Sequence, residues 1–158
     1  MNLKFLGIAS IALLAACSNT DSSSSSGTGA GAGAGLGNIR PGSQEDLVAN
    51  VGDRIFFDFD RSNVRADQRP VLQRQAEWMS RYPEVRVLVE GHTDERGTRE
   101  YNLALGQRRA NATRDVLAAG GVNPSRISTI SYGKDQPAAL GSDESSWAQN
   151  RRAVTVVQ

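Results

Sequence analysis

Between Asp46 and Gln158 the chain alternates between strand-like and helix-like hydrophobic periods, and that alternation limits what it can fold into. "DRIFFDF" carries strand-type residues around Ile55 to Phe57. "QRPVLQRQAEWMSRY" then sets Val71, Leu72, Ala76, Met79 and Tyr82 at helical spacing. Pro70 lies near its start, where a missing amide costs nothing, and Pro83 stops it. "EVRVLVEGH" alternates Val85, Val87 and Val89 with charged or mixed neighbours, the pattern of a half-buried strand. The longest helical signal, "TREYNLALGQRRANATRDVLAAGG", repeats Tyr101, Leu105, Ala112, Val116 and Ala119 and ends at Gly120-Gly121. Asn123-Pro124 leads into a strand from about Ile127 to Tyr132. A polar loop with Pro137 and Gly141 follows, and "RRAVTVVQ" closes the chain as a β-branched strand. The order β-α-β-α-β-β demands crossover helices and partly parallel pairing. The expected fold is α+β, with both long helices on one face of a sheet of about four strands, a two-layer α/β sandwich.

Upstream the composition changes. "SNTDSSSSSGTGAGAGAGLGNIRPGS", Ser18 to Ser43, holds nothing that fills a core and reads as a flexible tether. Its mean span is about 28 Å by the random-coil rule and its full reach roughly 90 Å. Before it, "MNLKFLGIASIALLAAC" has one positive charge, Lys4, then an apolar run from Phe5 to Ala16. That run is short of the roughly 20 residues a bilayer span needs and suits the apolar region of a secretory signal. "LAAC", Leu14 to Cys17, resembles the lipobox of bacterial lipoproteins. The resemblance implies cleavage between Ala16 and Cys17, with S-diacylglycerol and N-palmitoyl groups on Cys17. The alternatives are an ordinary signal peptide with a chance cysteine, or a small buried thiol. Cys17 is the chain's one cysteine, so no intramolecular disulfide can form. Ser18, not Asp, follows it, and by resemblance to lipoprotein sorting this favours the outer membrane, with the domain facing the periplasm. The expected division is a signal peptide over 1–16, a lipidated cysteine and tether over 17–43, and a folded domain over 46–158.

The net charge is +1, without the basic excess of a nucleic-acid binder. The most reactive-looking stretch is "EGHTDERGT", Glu90 to Thr98, which contains the only histidine, His92. A nucleophilic triad needs an activated Ser or Cys, and no motif marks one. A paired-carboxylate hydrolase built from Asp94, Glu95 and Asp58 stays open. One histidine and no spare cysteine exclude the usual zinc spacings. "DFDRSN", Asp58 to Asn63, imitates a calcium loop, but Asn63 stands where the loop needs Gly and Arg69 where it needs Glu. No metal or other cofactor is expected beyond the lipid on Cys17. His92 by itself reads as a strand-end histidine making a structural hydrogen bond.

Non-covalent recognition is the third option. Asn102, Leu105 and Arg109 stand at i, i+3 and i+7 and share one helix face. Gly106, costly inside a helix, permits a close approach by another group. Asp94 lies in the loop feeding that helix, and a carboxylate with a guanidinium on one edge would suit a zwitterion. The bland alternative is a loop-to-helix salt bridge between the two, and spacing alone does not decide against it. Trp147, before the last strand, reads as core packing or as a partner contact.

"VEGHTDERGTREYNLALGQRRANATRDVL", with "ISYGKDQPAALG" and "NRRAV", closely resembles the OmpA-like peptidoglycan-binding domain over about Val51 to Val157. That resemblance implies that Asp94 contacts the free ammonium of meso-diaminopimelate and Arg109 its free carboxylate. It places Asn102, Leu105 and the loop around Phe56 to Asp58 along the rest of the groove. It also implies a lipid-anchored link between outer membrane and cell wall. TolB and other Tol proteins would be partners, in envelope integrity and constriction at division. An interaction hub for TolB without wall binding, or a peptidoglycan hydrolase, would be the alternatives. On this reading, charge reversal at Asp94 or Arg109 abolishes wall retention and leaves the fold intact.

Overall fold

The computed structural model describes residues 39–158. The signal peptide, the Cys17 lipidation site and nearly all of the tether lie outside these described residues. Ordered structure starts ahead of the Asp46 boundary drawn from the sequence. Ser43 caps helix α1 (Gln44–Asn50), its side chain accepting from the Asp46 amide. Asp46 then gathers the Gly42 amide at 2.9 Å, Asn50 at 2.7 Å and the Trp78 indole at 2.9 Å, which ties α1 to the body.

Strand β1 (Arg54–Phe56) is followed by a 3-10 turn and helix α2 (Arg69–Arg81), with Pro70 in its first turn. Strand β2 (Val87–His92) leads to helix α3 (Arg99–Ala119), capped by the Thr98 hydroxyl accepting from the Tyr101 amide. Strand β3 (Ile127–Gly133), a short helix α4 (Glu144–Asn150) and strand β4 (Arg152–Val157) complete the chain. Helices α1 and α4 were not expected from the sequence. Each is seven residues long, too short to show a periodic apolar face, and each is set by a side-chain cap, Ser43 or Asp143.

The sheet order is β1-β4-β2-β3. β2 and β3 run parallel across the α3 crossover, while β4 is antiparallel to both β1 and β2. The expected α+β sandwich with partly parallel pairing is what forms. The last strand in sequence lies inside the sheet, beside the first.

The core joins Ile55, Val87, Val89 and Ala153 of the sheet to Leu72, Ala76, Trp78 and Met79 of α2 and Ala110 and Leu117 of α3. A buried polar pair crosses it without loss: Gln75 donates to the Gly52 carbonyl at 2.7 Å and accepts from Thr155 Oγ1 at 2.9 Å. Arg126 staples the C-terminal end of α2 by donating to the Met79, Tyr82 and Val85 carbonyls.

In α3 the buried stripe is Asn102, Leu105, Gly106, Arg109, Ala110, Thr113 and Leu117. This is displaced from the apolar set read from the sequence. Tyr101 is 45% exposed and turns its hydroxyl outward to Asp60. Three polar side chains occupy the inward face, so hydrophobic periodicity understates how deeply this helix is packed.

Candidate functional site

The loop between β2 and α3, the first half of α3 and the loop after β1 enclose a cleft of about 220 Å³. Asp94, Asn102, Leu105 and Arg109 all line it, joined by Phe59, Asp60, Arg96, Gly97 and Tyr101. Four of the six residues predicted from the sequence are thus brought together.

Phe56 and Asp58 are not. Phe56 faces a separate depression beside Gln68 and Gln149. The Asp58 carboxylate points to solvent, 3.3 Å from Arg65 Nη1, and only its backbone carbonyl serves the site. Asp60 explains the difference. Its φ of 55° is left-handed, a conformation that Asp tolerates better than most side chains. The chain doubles back there and presents Phe59 and Asp60 to the cleft, while the Tyr101 hydroxyl donates to the Asp60 carboxylate.

Arg109 is fully buried at the cleft floor. Its Nε donates to the Arg61 carbonyl at 2.8 Å, Nη1 to the His92 carbonyl at 2.8 Å and Nη2 to the Asp58 carbonyl at 3.1 Å. By its donor count, one N–H on each Nη remains beyond these three bonds. Burial pulls its pKa down to about 10, with the nearby Asp94 carboxylate opposing, so it stays charged at neutral pH. Among the described residues no carboxylate pairs with it within 4 Å. The loop-to-helix salt bridge between Asp94 and Arg109 therefore does not form.

Asp94 pairs elsewhere. Its Oδ2 accepts from Arg96 Nη2 at 2.6 Å and lies 3.5 Å from Arg151 Nη1, and its Oδ1 accepts from the Arg96 amide at 3.2 Å. Burial would raise its pKa, but the Arg96 hydrogen bonds outweigh that and hold it below the usual carboxylate range. Asn102 Nδ2 donates to the Arg96 and Thr98 carbonyls and so holds the loop that carries Asp94.

His92 is buried, and neither ring nitrogen has a hydrogen-bond partner among the described residues. The structural side-chain bond expected of it is at most a weak one to the Gln136 backbone, outside normal hydrogen-bond geometry. Its contribution is the backbone carbonyl that receives Arg109. Glu90 Oε2 is 3.6 Å from Nε2, too far for a hydrogen bond, and burial with the Arg152 charge lowers the imidazole pKa to about 4. At neutral pH this is not an ion pair.

From the sequence Arg96 reads as loop scaffolding or rim, Trp147 as core packing before a partner contact, and Arg151 has no assigned role. The Arg96 guanidinium lies between the Phe59 and Trp147 rings, 3.9 Å from each centroid. Trp147 is thus half-buried at the rim and not part of the core, with its indole donating to Glu95 Oε1 at 3.0 Å. Arg151 reaches Phe57 O, Asp94 and Glu144 from the buried side. A partner for "DER" inside the same loop was the signal available for Arg96. Nothing local marks the two rings that hold it.

Among the described residues no group of three His, Cys, Asp or Glu side chains is arranged to hold a metal ion. No described helix is long and apolar enough to cross a membrane. What the cleft offers is a buried cation with free donors near a carboxylate that attracts cations, both in reach of one small ligand.

The chain matches the model of the OmpA family over residues 56–151. It is 64% identical over 121 residues to a peptidoglycan-associated lipoprotein of Agrobacterium fabrum, covering 77% of this chain and 68% of that one. With the peptidoglycan-associated lipoprotein of Mesorhizobium japonicum it shares 51% identity over 150 residues, 95% of this chain and 89% of the other. The crystal structure of the peptidoglycan-associated lipoprotein from Burkholderia pseudomallei superposes with a TM-score of 0.67 at 44% identity, covering 72% of this chain and all of that one.

Proposed function

The chain belongs to the OmpA family and groups there with the peptidoglycan-associated lipoproteins, and from this we propose that it ties the outer membrane to the cell wall without covalent bonds. Families of this kind are structural wall-binding proteins and not enzymes. The observation that carries the reading is Arg109: a buried guanidinium with two free N–H groups and no carboxylate partner, in the same cleft as Asp94. A buried charge without a counter-ion is costly, so an entering carboxylate is favoured. The ligand is the side chain of meso-diaminopimelate, whose carboxylate meets Arg109 and whose ammonium meets Asp94. Lysine in that position lacks the carboxylate and leaves Arg109 unpaired. Asn102 orders the loop and Leu105 gives the cleft an apolar wall for the ligand's methylenes.

The anchor is the lipid on Cys17, cleaved from Ala16, and the segment over 17–43 lets the domain reach the wall. Three acyl chains exceed the two membrane signals that suffice for stable anchoring. The partnership with TolB and other Tol proteins, and a part in envelope integrity and constriction at division, rest on the family resemblance.

Retention of the mature protein on purified sacculi tests the reading. Sacculi containing meso-diaminopimelate should retain it and lysine-type sacculi should not. Asp94→Asn should lower retention at least about tenfold, the worth of one charge-assisted hydrogen bond. Equal retention on both wall types would overturn the ligand assignment. TolB binding without any retention would leave an interaction hub in its place.

A further inference from the structure

Arg96 sits where a cation from outside would have to sit. Its Nη2 and backbone amide together engage both Asp94 oxygens, at 2.6 and 3.2 Å. An arriving ammonium must share or replace these bonds, since Arg151 already approaches Oδ2 at 3.5 Å. The Arg96 side chain is held loosely in one respect and firmly in another. Its Nε is buried with no hydrogen-bond partner, while its planar head lies 3.9 Å from the centroids of both Phe59 and Trp147. Attraction to ring faces is much less directional than a hydrogen bond, so a guanidinium can slide between two rings and stay stabilised. The rings are themselves placed by other elements: Phe59 by the loop after β1, and Trp147 by α4 and its bond to Glu95.

The geometry points to Arg96 as a resident competitor, whose guanidinium occupies the seat on Asp94 that the ligand's ammonium takes and which the Phe59–Trp147 sandwich retains on displacement. This rests on the wall-binding reading and deepens it. Displacing Arg96 raises the threshold for every cationic ligand. A lone ammonium, as in a lysine-type stem, does not repay the lost pair. A ligand that also carries a carboxylate recovers it at Arg109. Arg96 therefore sets the affinity threshold that every cationic ligand must exceed, while Arg109 supplies the discrimination between ligands with and without a carboxylate.

The test uses the full mature chain in detergent and two soluble probes, L-Ala–D-Glu–meso-diaminopimelate and its L-lysine counterpart, followed by calorimetry. Arg96→Met keeps an apolar stem between the rings and removes the charge. It should bind both probes about tenfold more tightly than wild type, which brings the lysine peptide into measurable range. Arg96→Lys keeps a cation on Asp94 and should stay closer to wild type than Arg96→Met. Binding of the diaminopimelate probe should change tryptophan fluorescence in wild type, and the change should vanish in Trp147→Phe. If wild type binds and Arg96→Met binds equally or more weakly, Arg96 supports the site and this inference is overturned. A wild type that binds neither probe overturns the wall-binding reading and this inference with it.

Discussion

Gly91 of β2 and Gly106 of α3 meet so closely that a methyl group on Gly91 would lie 1.8 Å from the Gly106 carbonyl oxygen. Contacts that short do not occur, so the helix would have to move off the strand. That contact sets the depth at which α3 carries Asn102, Leu105 and Arg109 into the cleft. Gly91→Ala should cost about 3 kcal/mol or more, as overpacking against rigid backbone does. Gly106→Ala meets first the Ser131 hydroxyl at 2.3 Å, which can rotate, and then the Gly91 carbonyl at 2.9 Å. It also gains about 1 kcal/mol of helix propensity, and so should cost less. Urea unfolding of both variants gives the order, and a milder effect at Gly91 would contradict the close approach.

Arg109 supports the fold as well as the site. Arg109→Met strips donors from the Asp58, Arg61 and His92 carbonyls and should cost about 2–4 kcal/mol, even with water replacing some of them. Arg109→Lys should recover only part, since one ammonium cannot span three carbonyls in a plane. Charge reversal at Arg109 should likewise weaken the fold, where the sequence by itself led to the expectation of an intact one. Chemical denaturation decides it, and unchanged stability in Arg109→Met would refute the structural role.

His92 makes stability fall with acid. Its pKa drops from 6.5 in the unfolded chain to about 4 in the fold, because of burial and the Arg152 charge. Between these values the unfolded chain binds more protons, so stability present above pH 6.5 is lost as pH falls towards 4. The loss reaches about 3 kcal/mol. Glu90, facing the ring at 3.6 Å, is shifted up by burial and works in the opposite sense, while Tyr132 packs on the ring. The urea midpoint should decline over this window, and His92→Gln should flatten the slope. An equal slope in the variant would assign the effect to other groups.

Trp78 anchors α1 through one bond. Trp78→Phe removes the indole donor to Asp46 and should cost about 1–2 kcal/mol. Asp46 is held below its usual range by the Gly42 amide first and by Trp78 next, so its carboxyl should titrate higher in the variant. Carbon-detected NMR titration reads this directly, and an unmoved Asp46 would show that the indole bond is unimportant.

Local information determined much of this protein. Two hydrophobic periods gave the element order around α2, β2, α3 and β3, because 3.6- and two-residue repeats are properties of short stretches. The i, i+3, i+7 spacing put Asn102, Leu105 and Arg109 on one face for the same reason, whereas the choice of Asp94 and Arg109 as the two poles came from the resemblance to the OmpA-like domain. Only tertiary structure decided the rest. The insertion of β4 between β1 and β2 depends on which strand edges remain to be paired, which no segment encodes alone. The turn at Asp60 exchanged Phe59 and Asp60 for Phe56 and Asp58, because one left-handed φ reverses the direction of the side chains that flank it. Arg109 finds its acceptors 17, 48 and 51 residues away, and Arg96 its rings on two other elements. The two charged poles were legible through the motif they share with the family, whereas the carbonyls that hold Arg109 and the rings that hold Arg96 are neighbours only in space.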